Sequence, residues 1–139
     1  MKNLQNIITN LENNIDASNF SDICAAMVSE IKESPSSQEA IIPLLSFMVE
    51  HPDLNYGMPG AFVHFIETFP EEIYVDALID SINRQPTEHN TWMLLRIMNT
   101  WSSPRQKEYI QVMKSALSHP AIADNLKQTM MEDLQDFKE

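Results

Sequence analysis

Apolar residues recur along this chain at the three- and four-residue spacing of a helix that buries one face. In the first such segment they are Leu4, Ile7, Ile8, Leu11 and Ile15, which predicts a helix over about 2–15. Seven further segments show the same spacing. They run over about 20–31, 36–51, 59–69, 70–84, 87–100 and 104–118, with an eighth helix in which Leu126, Met130, Leu134 and Phe137 face one way. No stretch alternates with period two for long enough to predict a strand, so the expected fold class is all-α.

Capping residues lie where these segments begin. Ser36, Thr87 and Ser103 stand at the predicted N-caps of the third, sixth and seventh helices. Glu39 and Gln106 follow Ser36 and Ser103 by three residues, which predicts a capping box at each.

Glycine and proline mark the breaks. Both glycines of the chain, Gly57 and Gly60, flank Pro59 in one turn, which indicates a fixed backbone before a buried fourth helix. Pro43 falls inside the third predicted helix and is expected to kink it.

Eight helices joined by short turns are expected to stack as four antiparallel hairpins. Predicted helix starts near Gln38, Glu71 and Pro104 are spaced by 33 residues, which suits a solenoid of helix pairs. Tetratricopeptide and ankyrin signatures are absent. We therefore predict one domain over 1–139, an irregular HEAT-like α-solenoid.

The charge is negative and uneven. Nine Lys and Arg face twenty Asp and Glu, for a net charge of −11, and neither Lys nor Arg occurs between Lys32 and Arg84. Such a field repels nucleic acid and anionic membranes and attracts basic partners. A merely solubilising surface is the alternative.

The fifth helix carries the sharpest charge pattern. Glu72, Asp76 and Asp80 follow one another at i,i+4 steps, where like charges disfavour a helix. The opposite face is predicted to be Ile73, Tyr74, Ala77, Leu78, Ser81 and Ile82. The stripe is either a tolerated solvated face or an anionic surface for Lys and Arg of a partner.

Residues for catalysis are not evident. There is no Gly-rich phosphate loop, no zinc-type Cys or His pair and no H-E-x-x-H, so we expect no catalytic residues, no metal and no cofactor. Cys24, the one cysteine, is flanked by apolar residues and is expected to be a small buried hydrophobe. No segment reads as a signal peptide or reaches the roughly 20 apolar residues of a membrane span, which predicts a soluble, cytoplasmic protein.

His64 and Glu67 share one face of the fourth helix. They could ligate a metal, but the structural alternative is favoured, because buried polar groups usually satisfy each other. Arg96, on a helix lined with Leu and Met, needs such a partner. We therefore predict that Arg96 pairs with Glu67 and that His64 or Asn99 completes the network. Of the two tryptophans, Trp92 is expected in the core, and Trp101 could be core or binding anchor.

Three motifs resemble a family of small bacterial proteins. They are Gly57-Met58-Pro59-Gly60-Ala61-Phe62-Val63-His64-Phe65-Ile66-Glu67, then Ser81-Ile82-Asn83-Arg84-Gln85-Pro86-Thr87 with Tyr74 and Leu78 ahead of it, then Thr91-Trp92-Met93-Leu94-Leu95-Arg96-Ile97-Met98-Asn99. The resemblance covers about residues 40–100 and is to immunity proteins of contact-dependent growth inhibition and polymorphic toxin loci. Leu95 departs from the family pattern, which has Asn before the late Arg.

The resemblance implies a HEAT-like cytoplasmic protein without catalytic activity that binds and blocks the toxic C-terminal domain of a secreted toxin. The motif residues are then fold-defining, and the contacts are expected on acidic surface, against a toxin such as a basic nuclease. The predicted contact residues are Asp53, Tyr56, Glu72, Asp76 and Asp80. Two alternatives remain: a HEAT-like adaptor for another protein, and a metal-dependent enzyme using His64, Glu67 and perhaps His51.

Overall fold

The computed structural model describes residues 4–57 and 60–137, and within them every regular element is helical. Eight α-helices and two short 3-10 helices are present, with no strand among these residues, which confirms the predicted all-α class. The α-helices are α1 Leu4–Glu12, α2 Phe20–Lys32, α3 Ile41–Glu50, α4 Ala61–Glu67, α5 Glu71–Arg84, α6 Glu88–Met98, α7 Gln106–Ala116 and α8 Asp124–Asp133. The 3-10 helices are Ser37–Ala40 and Leu134–Asp136.

The chain divides into two compact units, Met1–Pro70 and Glu71–Glu139. In the first unit α2 packs against α1 and α4. In the second unit α5, α6 and α7 pack against one another. The predicted stacking of four hairpins into one solenoid domain stays a prediction.

An aromatic cluster fills the core of the first unit. Phe20, Phe47, Tyr56 and Phe62 are all at most 4% exposed, and their ring centroids lie 5.7–6.4 Å apart. Aromatic pairs at this separation stabilise a core beyond the area they bury. The cluster joins α2, α3 and α4 to the loop that follows α3.

That loop requires its glycines. Gly57 has φ +102° and Gly60 has φ +97° with ψ 165°, a region that side-chain-bearing residues avoid. A Cβ at Gly60 would overlap the carbonyl oxygen of Tyr56 and lie 2.8 Å from its carbonyl carbon. The sequence-based prediction of a fixed backbone is confirmed at both glycines, while the predicted role of Pro59 at the helix start lies outside the described residues.

The core of the second unit consists of one face from each of its first three helices. Leu78 of α5, Met93 of α6 and Tyr109 of α7 are all fully buried. Fully burying a side chain of this size stabilises the fold by about 1.5–3 kcal/mol. Of the four residues predicted for one face of the eighth helix, Met130, Leu134 and Phe137 are buried and Leu126 is half-buried. The predicted helix was too long, because α8 ends at Asp133 and Leu134 begins the 3-10 helix.

Several predicted helix boundaries were wrong, each for a local reason. The first helix ends at Glu12 rather than near residue 15, because Asn14 Nδ2 donates to the carbonyl oxygen of Asn10 at 2.7 Å. The third splits into a 3-10 turn and α3, which places Pro43 in the first turn of α3. There a missing N–H and a fixed φ are tolerated, so Pro43 does not lie in a helix interior as predicted.

Only one of the three predicted N-caps makes its bond into the helix as predicted. Thr87 caps α6, whereas the Ser36 side chain makes no capping bond to a backbone N–H of the 3-10 turn that follows it. Ser103 Oγ accepts from Arg105 N at 3.1 Å, and Gln106 donates to the carbonyl oxygen of Met98 at 3.0 Å instead of forming the capping box.

Cys24 is fully buried, as predicted, in the interior of α2. Burial raises the pKa of the Cys24 thiol to about 12. Near pH 8 the thiolate, which is the reactive form, is then about a thousandfold scarcer than for a thiol with a pKa of 9.0.

We therefore expect iodoacetamide to alkylate Cys24 at least about a thousandfold more slowly in the native protein than in urea. Mass spectrometry at timed intervals measures both rates. Native alkylation at the rate of the unfolded chain would contradict the buried position of Cys24.

None of the helices in the two described stretches combines the length and the apolar character needed to cross a membrane.

Candidate interaction surface

The carboxylates of α5 lie on its exposed face. Glu72, Asp76 and Asp80 are all exposed, as predicted. The buried face was predicted with an error, because Ile73 is 40% exposed and Ala77 is only half-buried. The side chains that α5 buries are Tyr74, Val75, Leu78, Ile79, Ser81 and Ile82. Two β-branched residues, Val75 and Ile79, therefore take the place assigned to Ile73 and Ala77.

Asp76 differs from the other two carboxylates because it has a cationic partner. Arg105 Nη2 lies 2.8 Å from Asp76 Oδ1 and 2.6 Å from Glu108 Oε2. Arg105 Nε also donates to Glu108 Oε1 at 2.8 Å, so Glu108 is held bidentately. These bonds, first to Glu108 and then to Asp76, raise the pKa of Arg105 further above its ordinary value. The bond from Arg105 lowers the pKa of Glu108.

The resulting surface keeps an excess of negative charge. One guanidinium serves two carboxylates, and the carboxylates of Glu72 and Asp80 form no hydrogen bond or ion pair within residues 4–57 and 60–137. Because the Arg105 bonds to Asp76 and Glu108 are largely open to water, they contribute little to folding. Glu72 and Asp80 are the carboxylates of α5 available to an incoming cation.

The two predicted contact residues of the first unit, Asp53 and Tyr56, differ in burial. Asp53 is exposed and stays a candidate. Tyr56 is 1% exposed, and its hydroxyl donates to the carbonyl oxygen of His51 at 2.6 Å. Its prediction as a partner contact is therefore wrong. The cause is the aromatic cluster, which takes the Tyr56 ring into the core.

The polar network predicted around the late arginine does not lie in the core. His64, Arg96 and Asn99 are exposed, whereas Glu67 is half-buried. The Arg96 guanidinium stacks over the Trp92 ring with Cζ 4.6 Å from its centroid, a favourable cation–π contact. The expected burial was wrong for these three residues; the pairing of Arg96 with Glu67 stays a prediction.

A buried polar network does exist, at the start of α6. Asn90 Oδ1 accepts from Thr87 N at 2.8 Å, and Thr87 Oγ1 accepts from Asn90 N at 3.1 Å, which closes a capping box. Asn90 Nδ2 donates to Ser81 Oγ and to the Gln85 carbonyl oxygen, both at 3.0 Å. Thr91 Oγ1 donates to the Thr87 carbonyl oxygen at 2.6 Å. Ser81 and Thr87 belong to the second motif, and their role here is to define the fold.

A second structural contact escaped sequence analysis. Glu71 Oε2 accepts from Ser103 Oγ at 2.8 Å and from the Tyr109 hydroxyl, which ties the first turn of α5 to the start of α7. Burial, and then the bond to Glu71, raise the pKa of Tyr109 to about 12. Residues more than 30 positions apart in sequence leave no periodic signal of such a contact, so only the fold reveals it.

The two tryptophans lie at the surface of the second unit rather than in its core. Trp92 is half-buried, contrary to the expected core position, and lines a cavity of about 120 Å³ with Leu95, Met113, Leu126 and Met130. Trp101 is 57% exposed, has φ +55° and stacks on Phe137 with centroids 4.9 Å apart. Trp101 thus presents a large apolar surface to solvent.

No family model, curated protein or solved structure matches this chain.

Proposed function

We propose that this chain is an immunity protein that binds and blocks the toxic domain of a cognate toxin through the exposed carboxylates of α5. The observation that carries the proposal is the pair Glu72 and Asp80, which are exposed and form no ion pair within the described residues. Two unpaired anions on a rigid helix suit Lys and Arg of a partner. The resemblance of the three motifs to immunity proteins supplies the kind of partner.

A basic nuclease domain fits this surface best. A protein with a net charge of −11 attracts a basic partner over long range, which raises the association rate. Carboxylates can also occupy the positions where a nuclease holds phosphates, and this would block its substrate. The proposed role needs neither catalysis nor a cofactor of this chain, and it places the protein in the cytoplasm beside the toxin it neutralises.

Co-expression with the toxin domain encoded immediately upstream tests the proposal directly. We expect the chain to restore growth and to co-purify with that domain. If no toxin domain is encoded there, or if growth is not restored, the immunity proposal fails. The hypothesis of a HEAT-like adaptor for another protein is then favoured.

Charge reversal on α5 tests the surface. The double variant Glu72→Lys with Asp80→Lys changes two exposed carboxylates and leaves the Asp76–Arg105 contact in place. We expect it to weaken the complex at least about tenfold at low salt and to flatten the dependence of affinity on salt concentration. Titration calorimetry at two salt concentrations measures both effects.

A matched control has the same charge change elsewhere. Glu30 and Glu33 are exposed at the end of α2, where lysines also suit the helix C-terminus. The variant Glu30→Lys with Glu33→Lys should bind almost as the unchanged protein does. If both double variants bind equally well, α5 is not the contact surface.

A further inference from the structure

A histidine and two glutamates converge where α1 and α3 end. Glu12 is the last residue of α1, Glu50 is the last residue of α3, and His51 follows as its C-cap. One ligand atom from each of the three lies within 4.8 Å of the other two. Among residues 4–57 and 60–137 this is the one group of three His, Cys, Asp or Glu side chains close enough to hold a metal ion. Neither His64 nor Glu67 belongs to it.

We propose that Glu12, Glu50 and His51 bind a divalent transition-metal ion, of which Zn²⁺ is the best fit. One imidazole nitrogen and two carboxylate oxygens are donors that Zn²⁺ accepts, whereas Mg²⁺ and Ca²⁺ prefer oxygen alone. The sequence predicted no metal, because Glu12 is 38 residues from Glu50 and no motif spacing joins them.

The distances between the ligand atoms suit one ion bound by all three residues. Ligand bonds of about 2.0–2.1 Å place neighbouring ligand atoms roughly 3.3 Å apart around a tetrahedral Zn²⁺. His51 Nε2 lies 3.0 Å from Glu12 Oε2 and 3.2 Å from Oε1. Glu50 is exposed, and one of its carboxylate oxygens lies within 4.8 Å of the ligand atoms of Glu12 and His51.

The imidazole is held in place by contacts that do not use Nε2. The His51 ring packs on Phe47 with centroids 4.7 Å apart, and the His51 carbonyl oxygen accepts from the Tyr56 hydroxyl at 2.6 Å. Phe47 and Tyr56 are both about 1% exposed and belong to the aromatic cluster. The nitrogen that faces Glu12 is thus fixed before an ion arrives, which lowers the entropic cost of binding.

The electrostatic surroundings also favour a cation. The C-termini of α1 and α3 meet here, and each helix carries partial negative charge at that end. Two carboxylates add charge that a divalent ion balances. Three protein ligands leave a fourth tetrahedral position open, as in metal sites that bind an external ligand.

Calorimetric titration of the purified, chelator-treated full chain with ZnCl₂ tests the proposal, with MgCl₂ as the competing ion. We expect one Zn²⁺ per chain, retained in excess Mg²⁺, and a rise in melting temperature of about 5–10 °C at saturating Zn²⁺. Glu50→Gln, at an exposed position, should weaken binding at least about tenfold without affecting the fold.

Two further variants make the outcome specific. His51→Phe keeps an aromatic ring against Phe47 and should abolish one-to-one binding. His64→Ala removes an exposed imidazole from α4, and this variant should bind Zn²⁺ as the unchanged chain does. The proposal is overturned if the chain shows no saturable site, if Glu50→Gln and His51→Phe still bind normally, or if His64→Ala loses as much affinity as they do.

Discussion

Replacing Gly60 with alanine is expected to destabilise the protein by about 3–5 kcal/mol, the largest effect of any single change to the loop before α4. Gly60 combines φ +97° with ψ 165°, a conformation reserved almost entirely for glycine. The added Cβ would also meet the backbone carbonyl of Tyr56, which cannot rotate away as a side chain could. Urea unfolding followed by circular dichroism measures the loss.

Gly57 offers the comparison. It also has a positive φ, +102°, but a Cβ there would lie 2.9 Å from the Gly60 Cα and overlap no carbonyl oxygen. Gly57→Ala should therefore cost about 1–3 kcal/mol, mainly from backbone strain. If Gly60→Ala proves no more damaging than Gly57→Ala, the close approach of Gly60 to Tyr56 is not what the loop depends on.

Replacing Asn90 with alanine is expected to cost about 3–5 kcal/mol as well, for a different reason. The Asn90 side chain is 3% exposed and makes three hydrogen bonds. Its removal leaves the N–H of Thr87, the carbonyl of Gln85 and the hydroxyl of Ser81 without the partner that each has now. The same unfolding experiment measures the effect.

Asn99 provides a matched control, because it is an asparagine at the other end of the same helix. It is exposed and serves as the C-cap of α6, so Asn99→Ala should change the free energy of unfolding by less than about 0.5 kcal/mol. The two variants also compare the buried network of α6 with the one that the sequence predicted around Arg96. A larger loss of stability in Asn99→Ala than in Asn90→Ala would contradict the assignment of the stabilising network to Asn90.

The periodicity of apolar residues was sufficient to predict the helices, but not which side chains point to the core and which to solvent. All eight α-helices were predicted within a few residues, because their apolar stripes and flanking prolines are local signals. Helix α4 shows where this fails. Four of its seven residues, Phe62, Val63, Phe65 and Ile66, are buried, so apolar character surrounds His64 on both sides and the pattern does not reveal that His64 points outward.

The polar network of α6 was only half visible from sequence. Thr87 was predicted as a cap, but a capping box was sought only as Ser or Thr followed by Glu or Gln, and here Asn90 takes that place. The contacts of Glu71 with Ser103 and of Asp76 with Arg105, just before α7, join residues about 30 positions apart. No local rule links such pairs, since their meeting depends on how α5 and α7 pack.

The placement of the two tryptophans makes the halves of this molecule optically distinct. Trp92 and Trp101 both follow residue 70, so indole emission monitors only the Glu71–Glu139 unit, whereas helical ellipticity monitors both units. Superimposable denaturation curves from the two signals would mean that the halves melt as one cooperative block, and separated curves would mean that each melts by itself.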